Sequence, residues 1–548
     1  MHVQLEKNQR DREAYIELAE HHQQLGEYQR ANEVFETALA LCAPSASLYR
    51  NAISSFGESN QTKKAIRIAG QATKLFPDDE LYFRLKEKLL LPILYDTAEE
   101  VNHYHDRFAA GIQELLNDLK LNTPELRRGA LNAIGDHSRA GLAYQGRDVG
   151  ELHEQYARFV HRIMAANYPQ WPRRLRMPPA SENRKIRIGY ISQHFHRHSD
   201  VKCLLSWLRE LSRDKFETFA FHVGERIDSV TDDIRREAEY FYHLPTLEKA
   251  CETILRANLH IAVFFDHSPP LMIQLATLRL APIQCVAWTR AITSGSATID
   301  YFLSSVLTEP ESGQSHYYEQ LIRLPGAGSR FYKPVIARPL LGLKRDDFGL
   351  QSDGTVYLCC QSAFKYLPQY DRVFAAIAKR LPASQFAFLA PNDLIRDDLC
   401  KRLDRAFAAD GLKGSDHCVL IPRALNLFDY WNLNLVSDVF LDTFVYSGCV
   451  TTLEAVACGL PVVTLPGEFH RGRHSYAILR QLGVTETIAD SVEEYVDIAV
   501  RLGQDREWRA QILQRMSAGH GSLFGDTSSV RALEDFFQRV VREAGAKV

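Results

Sequence analysis

Apolar residues recur at three- and four-residue spacing through the first third of the chain and in short β-branched or aromatic runs after it, so the period changes near residue 185. In the helical part, Tyr15 returns as Tyr49, Ala31 as Ala65 and Ala38 as Ala72, each 34 residues on, and Pro44 returns as Pro77 after 33. A fixed period of that length predicts stacked helix pairs, each burying one face on its neighbour. A third unit starts at Leu81-Tyr82-Phe83 and loses the pattern by Pro92, which predicts a truncated or capping unit. Residues 97–171 keep helical spacing and read as a connector, ended by Tyr168-Pro169-Gln170-Trp171-Pro172 and a Pro/Arg-rich linker.

Beyond the linker, strands are predicted at 186–191, 218–223, 261–265, 283–288, 301–303 and 321–324, with helical stretches such as 201–211 and 247–257 between them. A second series follows a proline- and glycine-bearing segment at 325–345: strands at 356–360, 386–389, 418–421, 439–441 and 462–465. Strands alternating with helices predict α/β folds with doubly wound parallel sheets, and two in tandem place a ligand cleft between them. A closing helix at 528–543 is expected to pack back across the first lobe. The expected domains are an all-α repeat domain at 1–95, a helical connector at 96–183, and Rossmann-like lobes at 184–335 and 336–548.

One stretch of the second lobe, 437–467, combines a buried strand, the turn Tyr446-Ser447-Gly448, a helix and another strand. Thr451 or Thr452 is expected to cap that helix, with Glu454 in its first turn, Gly459 after its last turn and Pro461 barring continuation. The free N–H groups at such a helix start receive an anion such as a phosphate.

Composition narrows the class. Hydrophobic content of 45% and a net charge of -3 describe an ordinary globular protein and argue against a general nucleic-acid binder. No apolar run reaches the roughly 20 residues of a membrane span, and the first residues lack a signal-peptide core, so no membrane partner is expected. The ten cysteines show no Cys-x-x-Cys pair and no zinc spacing, which predicts buried thiols and a cytoplasmic location. No Asp-x-Asp occurs, so a closely spaced carboxylate pair of the kind that holds a divalent metal is missing and no metal cofactor is expected. The His194-x-His196-x-His198 alternation has no evident carboxylate or cysteine partners and is not taken as a metal site.

KIRIGYISQHFHRHS at 185–199, LRLAPIQCVAW at 278–288, Thr293-Ser294-Gly295 followed by IDYFLSS, YYEQLIRLP at 317–325, QSAFKYLP at 361–368 and the 437–455 stretch occur in this order behind the repeats. In that combination the chain resembles the bacterial protein O-GlcNAc transferases, the SPINDLY-like members of glycosyltransferase family 41, which join tetratricopeptide repeats to a two-lobed GT-B catalytic region. The resemblance implies inverting transfer of N-acetylglucosamine from UDP-GlcNAc to Ser or Thr of an acceptor protein or peptide bound through the repeats. It aligns Lys365 of Gln361-Ser362-Ala363-Phe364-Lys365 with the family's pyrophosphate lysine, Thr451 and Thr452 with the phosphate turn, Glu454 with the ribose-binding acid and Ala424 with a backbone contact to uracil. Gly448, Cys449 and Val450 complete the turn. His198 aligns with the histidine at the sugar and acceptor end of the cleft, where it orients groups or accepts a proton, and Asp266 is the second candidate on that side.

Departures keep alternatives open. Cys449-Val450-Thr451 stands where animal members carry His-Thr-Thr, the histidine expected after Ala424 is replaced around Asp429-Tyr430, and a glycine-rich turn is reduced to Thr289-Arg290-Ala291-Ile292-Thr293-Ser294-Gly295. UDP-glucose as donor, an amide nitrogen as acceptor, and a scaffold that has lost catalysis therefore stay open, as does pairing of the repeats into a homo-oligomer. Glu468, His470, Arg471 and His474 are expected in a solvated charged loop.

Overall fold

The computed structural model describes residues 11–136, 139–171, 173–179, 185–336, 342–422 and 426–546. Two helix pairs come first, Arg12–Gln24 with Tyr28–Leu41 and Ala46–Glu58 with Thr62–Leu75. The repeated positions explain the stacking: Ala31, Ala38, Ala65 and Ala72 are fully buried and let the helices approach, while Phe35 and Phe56 fill the space between. Asp11 and Ser45 cap two of these helices by accepting from the amides of Ala14 and Leu48. Glu80–Leu89 and the longer helices Ala98–Asp118, Pro124–Ile134 and Gly150–Asn167 continue the array.

The repeats dock on the second lobe through the helix Asp393–Ala408. Its Asp393 carboxylate accepts from the amide of Tyr28 at 3.0 Å, the Asn392 amide donates to the carbonyl of Glu58 at 3.0 Å, and Asn60 donates to Asp398 at 3.2 Å. Inside this interface Arg402 is buried, bidentate to Asp371 at 2.7 and 3.0 Å, and also donates to the carbonyls of Tyr95 and Tyr366.

Seven parallel strands form the first sheet: β1 Ile186–Ser192, β2 Phe216–His222, β3 Tyr240–His243, β4 Ile261–Phe264, β5 Ile283–Ala287, β6 Tyr301–Ser305 and β7 Gln320–Leu324, in the order β3-β2-β1-β4-β5-β6-β7. Five more form the second: β8 Thr355–Cys359, β9 Ser384–Ala390, β10 Cys418–Pro422, β11 Val439–Leu441 and β12 Val462–Val463, in the order β10-β9-β8-β11-β12. The α/β, two-sheet expectation holds. The strand predicted over 462–465 is a two-residue strand, after which Thr464 bridges to Ile488.

Strand order reverses between β1 and β4 in one sheet and between β8 and β11 in the other. Ligands of open parallel sheets bind outside the carboxyl ends at such switch points. The segments leaving those ends are 193–198 and 265–268 in the first lobe, and 360–365 and 442–449 in the second. The last helix, Ser528–Gly545, returns to the first lobe as expected: Phe537 packs on Phe216, Phe536 on Tyr301, and Glu534 accepts from the amide of Ser212 at 2.6 Å. Burying each phenylalanine is worth roughly 1.5–3 kcal/mol. Among the described residues no helix is long and apolar enough to cross a membrane.

Candidate active site

In the second lobe, β8 is followed by Cys360-Gln361 and a single helical turn, Ala363–Lys365. That turn carries the Lys365 ammonium to Gln361 Oε1 at 2.7 Å and the carbonyl of Ser447 at 3.3 Å, over the ring of Tyr446. Gln361 in turn donates to Thr451 Oγ1 at 2.8 Å. Lysine, glutamine and threonine from two strand ends thus meet at one helix start. Ser362, half-buried, precedes the turn.

The helix Val450–Cys458 has its cap position at Cys449, two or three residues before the expected Thr451 or Thr452. Cys449 is the residue before the first turn and makes no side-chain cap; Thr451 and Thr452 lie inside the first turn, and Glu454 lies past it. The turn is instead held from below by Asp442, whose Oδ1 accepts from the amide of Gly448 at 2.7 Å and whose Oδ2 accepts from Thr464 at 2.8 Å. Thr452 is fully buried and donates to the carbonyl of Gly448 at 2.9 Å. Gly448 has no room for a side chain: a Cβ would sit 2.5 Å from both Gln361 Nε2 and Thr451 Oγ1. The first amides of the helix, at Val450, Thr451 and Thr452, have no acceptor within it and carry the positive end of its dipole.

Burial raises the Asp442 carboxyl to about 6, against hydrogen bonds that lower it. Between its ordinary value and about 6 the native state binds the extra proton, so this group's contribution to stability falls as pH rises through that window. Asp442→Asn is expected to remove a slope on the order of 1 kcal/mol per pH unit there; unfolding midpoints of wild type and variant that run parallel from pH 4 to 6 would contradict it.

Across the cleft, His198 caps the helix Ser199–Arg209, its Nδ1 accepting from the amide of Asp200 at 3.3 Å. His194 Nδ1 lies 3.0 Å from Asp200 and 3.6 Å from Asp266, and its ring stacks on His198 at 3.8 Å. Burial works against an imidazolium at His194, yet the bond to Asp200 and the charge of Asp266 outweigh it and raise its pKa. His198 goes the other way: burial lowers it to about 4, so its ring is neutral near pH 7. With Nδ1 accepting, the proton of the neutral ring belongs on Nε2. Asp266 is fully buried, accepts from Ser192 at 2.7 Å, and is raised by burial.

Sequence reasoning missed Asp200, the carboxylate partner that the three histidines seemed to lack. His194, His198 and Asp200 each bring a potential ligand atom within 4.8 Å of the others. A cation is already present: the Arg290 guanidinium, from the altered turn, lies 3.9 Å from Asp200 and holds its carboxyl down against burial. The only early signal was Asp200 following His198 by two residues at a helix start.

The segment expected as a solvated loop is buried. His470 packs against Glu309 at 2.8 Å and Ser304 at 2.8 Å, His474 tilts on Trp288, and Arg471 reaches the carbonyl of Arg147. Only Glu468 is exposed. His470 Nδ1 and one terminal nitrogen of Arg471 find partners on the first lobe and the connector, which local composition does not reveal. Glu454 is also covered, accepting from Lys202 of the first lobe at 2.7 Å. Ala424 lies outside the described residues.

The sequence profile of glycosyl transferase family 41 matches residues 159–330 and 336–526, both lobes and the switch-point segments just described. The chain belongs to glycosyl transferase family 41. A solved structure of a mutant O-GlcNAc transferase from Thermobaculum terrenum is 25% identical and superposes with a TM-score of 0.70 over 98% of each chain. Among curated relatives, the probable UDP-N-acetylglucosamine--peptide N-acetylglucosaminyltransferase SPINDLY of Arabidopsis thaliana is 25% identical over 329 residues, 59% of this chain and 35% of that protein. The probable enzyme SEC of the same plant is 24% identical over 335 residues, 59% and 33% respectively. This family member therefore spans about a third of the length of the curated relatives it matches.

Proposed function

We propose that the protein is an inverting, metal-independent glycosyltransferase that moves N-acetylglucosamine from UDP-GlcNAc to Ser or Thr hydroxyls of proteins. The observation that carries this is the meeting of Lys365, Gln361 and Thr451 at the open start of the Val450–Cys458 helix, with Gly448 packed too closely for any side chain. Such a site receives a diphosphate, and family membership makes a nucleotide sugar the natural source of one. The names of the plant relatives and of the Thermobaculum terrenum enzyme support N-acetylglucosamine as the sugar.

In this scheme Lys365, Gln361, Thr451 and the helix amides hold the diphosphate, and the ammonium strengthens its hold as the sugar–oxygen bond breaks. His198 presents Nε2–H to the sugar or acceptor and acts by orienting. Asp266 is the carboxylate this lobe offers to the hydroxyl proton, with His194 and Arg290 offsetting its charge. Lys202 and Glu454 bridge the lobes beside the nucleoside end. The Cys449-Val450 pair at the turn keeps UDP-glucose as a second donor reading.

The test is intact-mass spectrometry of acceptor proteins incubated with the full chain and UDP-GlcNAc or UDP-glucose in excess EDTA. HexNAc additions on Ser or Thr that persist under chelation are expected. Activity lost to EDTA and restored by a divalent cation would overturn metal independence; hexose additions alone would overturn the donor.

A further inference from the structure

Two cysteines 246 positions apart meet across the lobes: Cys203 Sγ lies 3.5 Å from Cys449 Sγ. Cys203 sits on the Ser199–Arg209 helix of the first lobe and is buried; Cys449 is the half-buried residue that opens the Val450–Cys458 helix of the second. The contact is part of a clasp, because the neighbouring Lys202 reaches Glu454 at 2.7 Å on the same two helices. All ten cysteines are free thiols in this structure. Bonding these two sulfurs requires an approach of roughly 1.5 Å from the 3.5 Å contact.

We propose that Cys203 and Cys449 are a reversible oxidation site that forms a disulfide between the lobes when the protein meets a hydroperoxide. Cys449, the more accessible sulfur, attacks the peroxide as the thiolate; its electron pair breaks the O–O bond and leaves a sulfenic acid and an alcohol, or water from hydrogen peroxide. The Cys203 sulfur then attacks the sulfenyl sulfur, the S–S bond forms, and the hydroxyl leaves as water with the Cys203 proton. The sum is two thiols and one hydroperoxide giving one disulfide, one alcohol and one water, or two waters from hydrogen peroxide, and a dithiol reduces the disulfide back to the two thiols. Cys203 is a reluctant nucleophile, since its contact with Cys449 and its burial both raise the thiol, but its position against the target sulfur offsets that reluctance.

The bond pins the phosphate turn of the second lobe to the first. This consequence, unlike the bond itself, rests on the reading of that turn as the donor site. Oxidation is then expected to change the affinity for UDP about fivefold or more, with recovery on reduction.

The experiment exposes the full chain to graded hydrogen peroxide, alkylates it, digests it without reductant and maps it by mass spectrometry. The expected product is a linked peptide joining Cys203 to Cys449, lost on treatment with dithiothreitol and never formed in Cys203→Ser. Oxidation of Cys449 onward to the sulfinic acid with no linked peptide overturns the proposal, as does preferential linkage of other cysteines. The wild-type map decides the matter alone if the variant does not fold. Titration of UDP into both redox forms separates the two ideas: a linked peptide with unchanged affinity overturns the consequence, and failure of both forms to bind UDP overturns the donor-site reading while the mapped bond stands.

Discussion

Replacing Lys365 with alanine is expected to lower turnover of UDP-GlcNAc by about 10²–10³-fold, the scale seen when one preorganised donor to a developing negative charge is removed. Its ammonium is held by Gln361 and Ser447 at 2.7 and 3.3 Å, so it is placed before any ligand arrives. Charge on the diphosphate grows as the bond to the sugar breaks. In the proposed role the lysine contributes more to the transition state than to the bound donor, so kcat should fall further than donor affinity. Lys365→Arg keeps the charge with a different shape and should recover part of the loss. Initial rates of UDP release, with donor affinity measured separately, check this; a kcat within threefold of wild type would remove Lys365 from the mechanism.

The second large effect is on stability. Arg402→Met is expected to destabilise the protein by ~3–5 kcal/mol, because the buried carboxylate of Asp371 is left without its charge partner. Burial already raises the Asp371 carboxyl, and Arg402 is the main force opposing that rise. The same guanidinium ties the carbonyl of Tyr95, at the end of the repeats, to that of Tyr366, next to Lys365. Loss of the brace should loosen the repeats and the lysine turn together. Urea unfolding measures the first, and a double variant with Asp371→Leu should recover most of the stability. A shift below about 1 kcal/mol for the single variant would show that water reaches Asp371 and solvates it.

The elements that local pattern determines were legible in the sequence. The 34-residue spacing of Ala31, Ala38, Ala65 and Ala72 predicts the helix pairs because small residues are needed wherever helices cross. Eleven strands were visible as apolar runs because parallel sheets are covered on both faces. β3 was not: it is a four-residue edge strand, exposed at Tyr240 and His243, and its aromatic run of three residues lacks the buried aliphatic residues that mark the other strands. Gln361, Lys365, Thr451 and Thr452 come from short motifs flanking predicted strands; the structure brings the first three together, while Thr452 turns inward to the carbonyl of Gly448. What escaped is what long-range contacts decide. Asp442 supports the Gly448 turn through a backbone amide, His470 finds Glu309 from 161 positions away, and Cys203 finds Cys449 across the lobes. Thr451 and Thr452 were assigned to the cap by residue type alone, whereas the Asp442 contact sets where the helix starts.

In the proposed function the cleft between the two switch points is a UDP site built by Lys365, Gln361, Thr451 and the start of the Val450–Cys458 helix. Isothermal titration of UDP into the full chain in EDTA tests it most directly. One site per chain is expected, with affinity reduced at least tenfold by Lys365→Ala, equivalent to about 1.4 kcal/mol; no binding, or binding that Lys365→Ala leaves unchanged, would contradict the account.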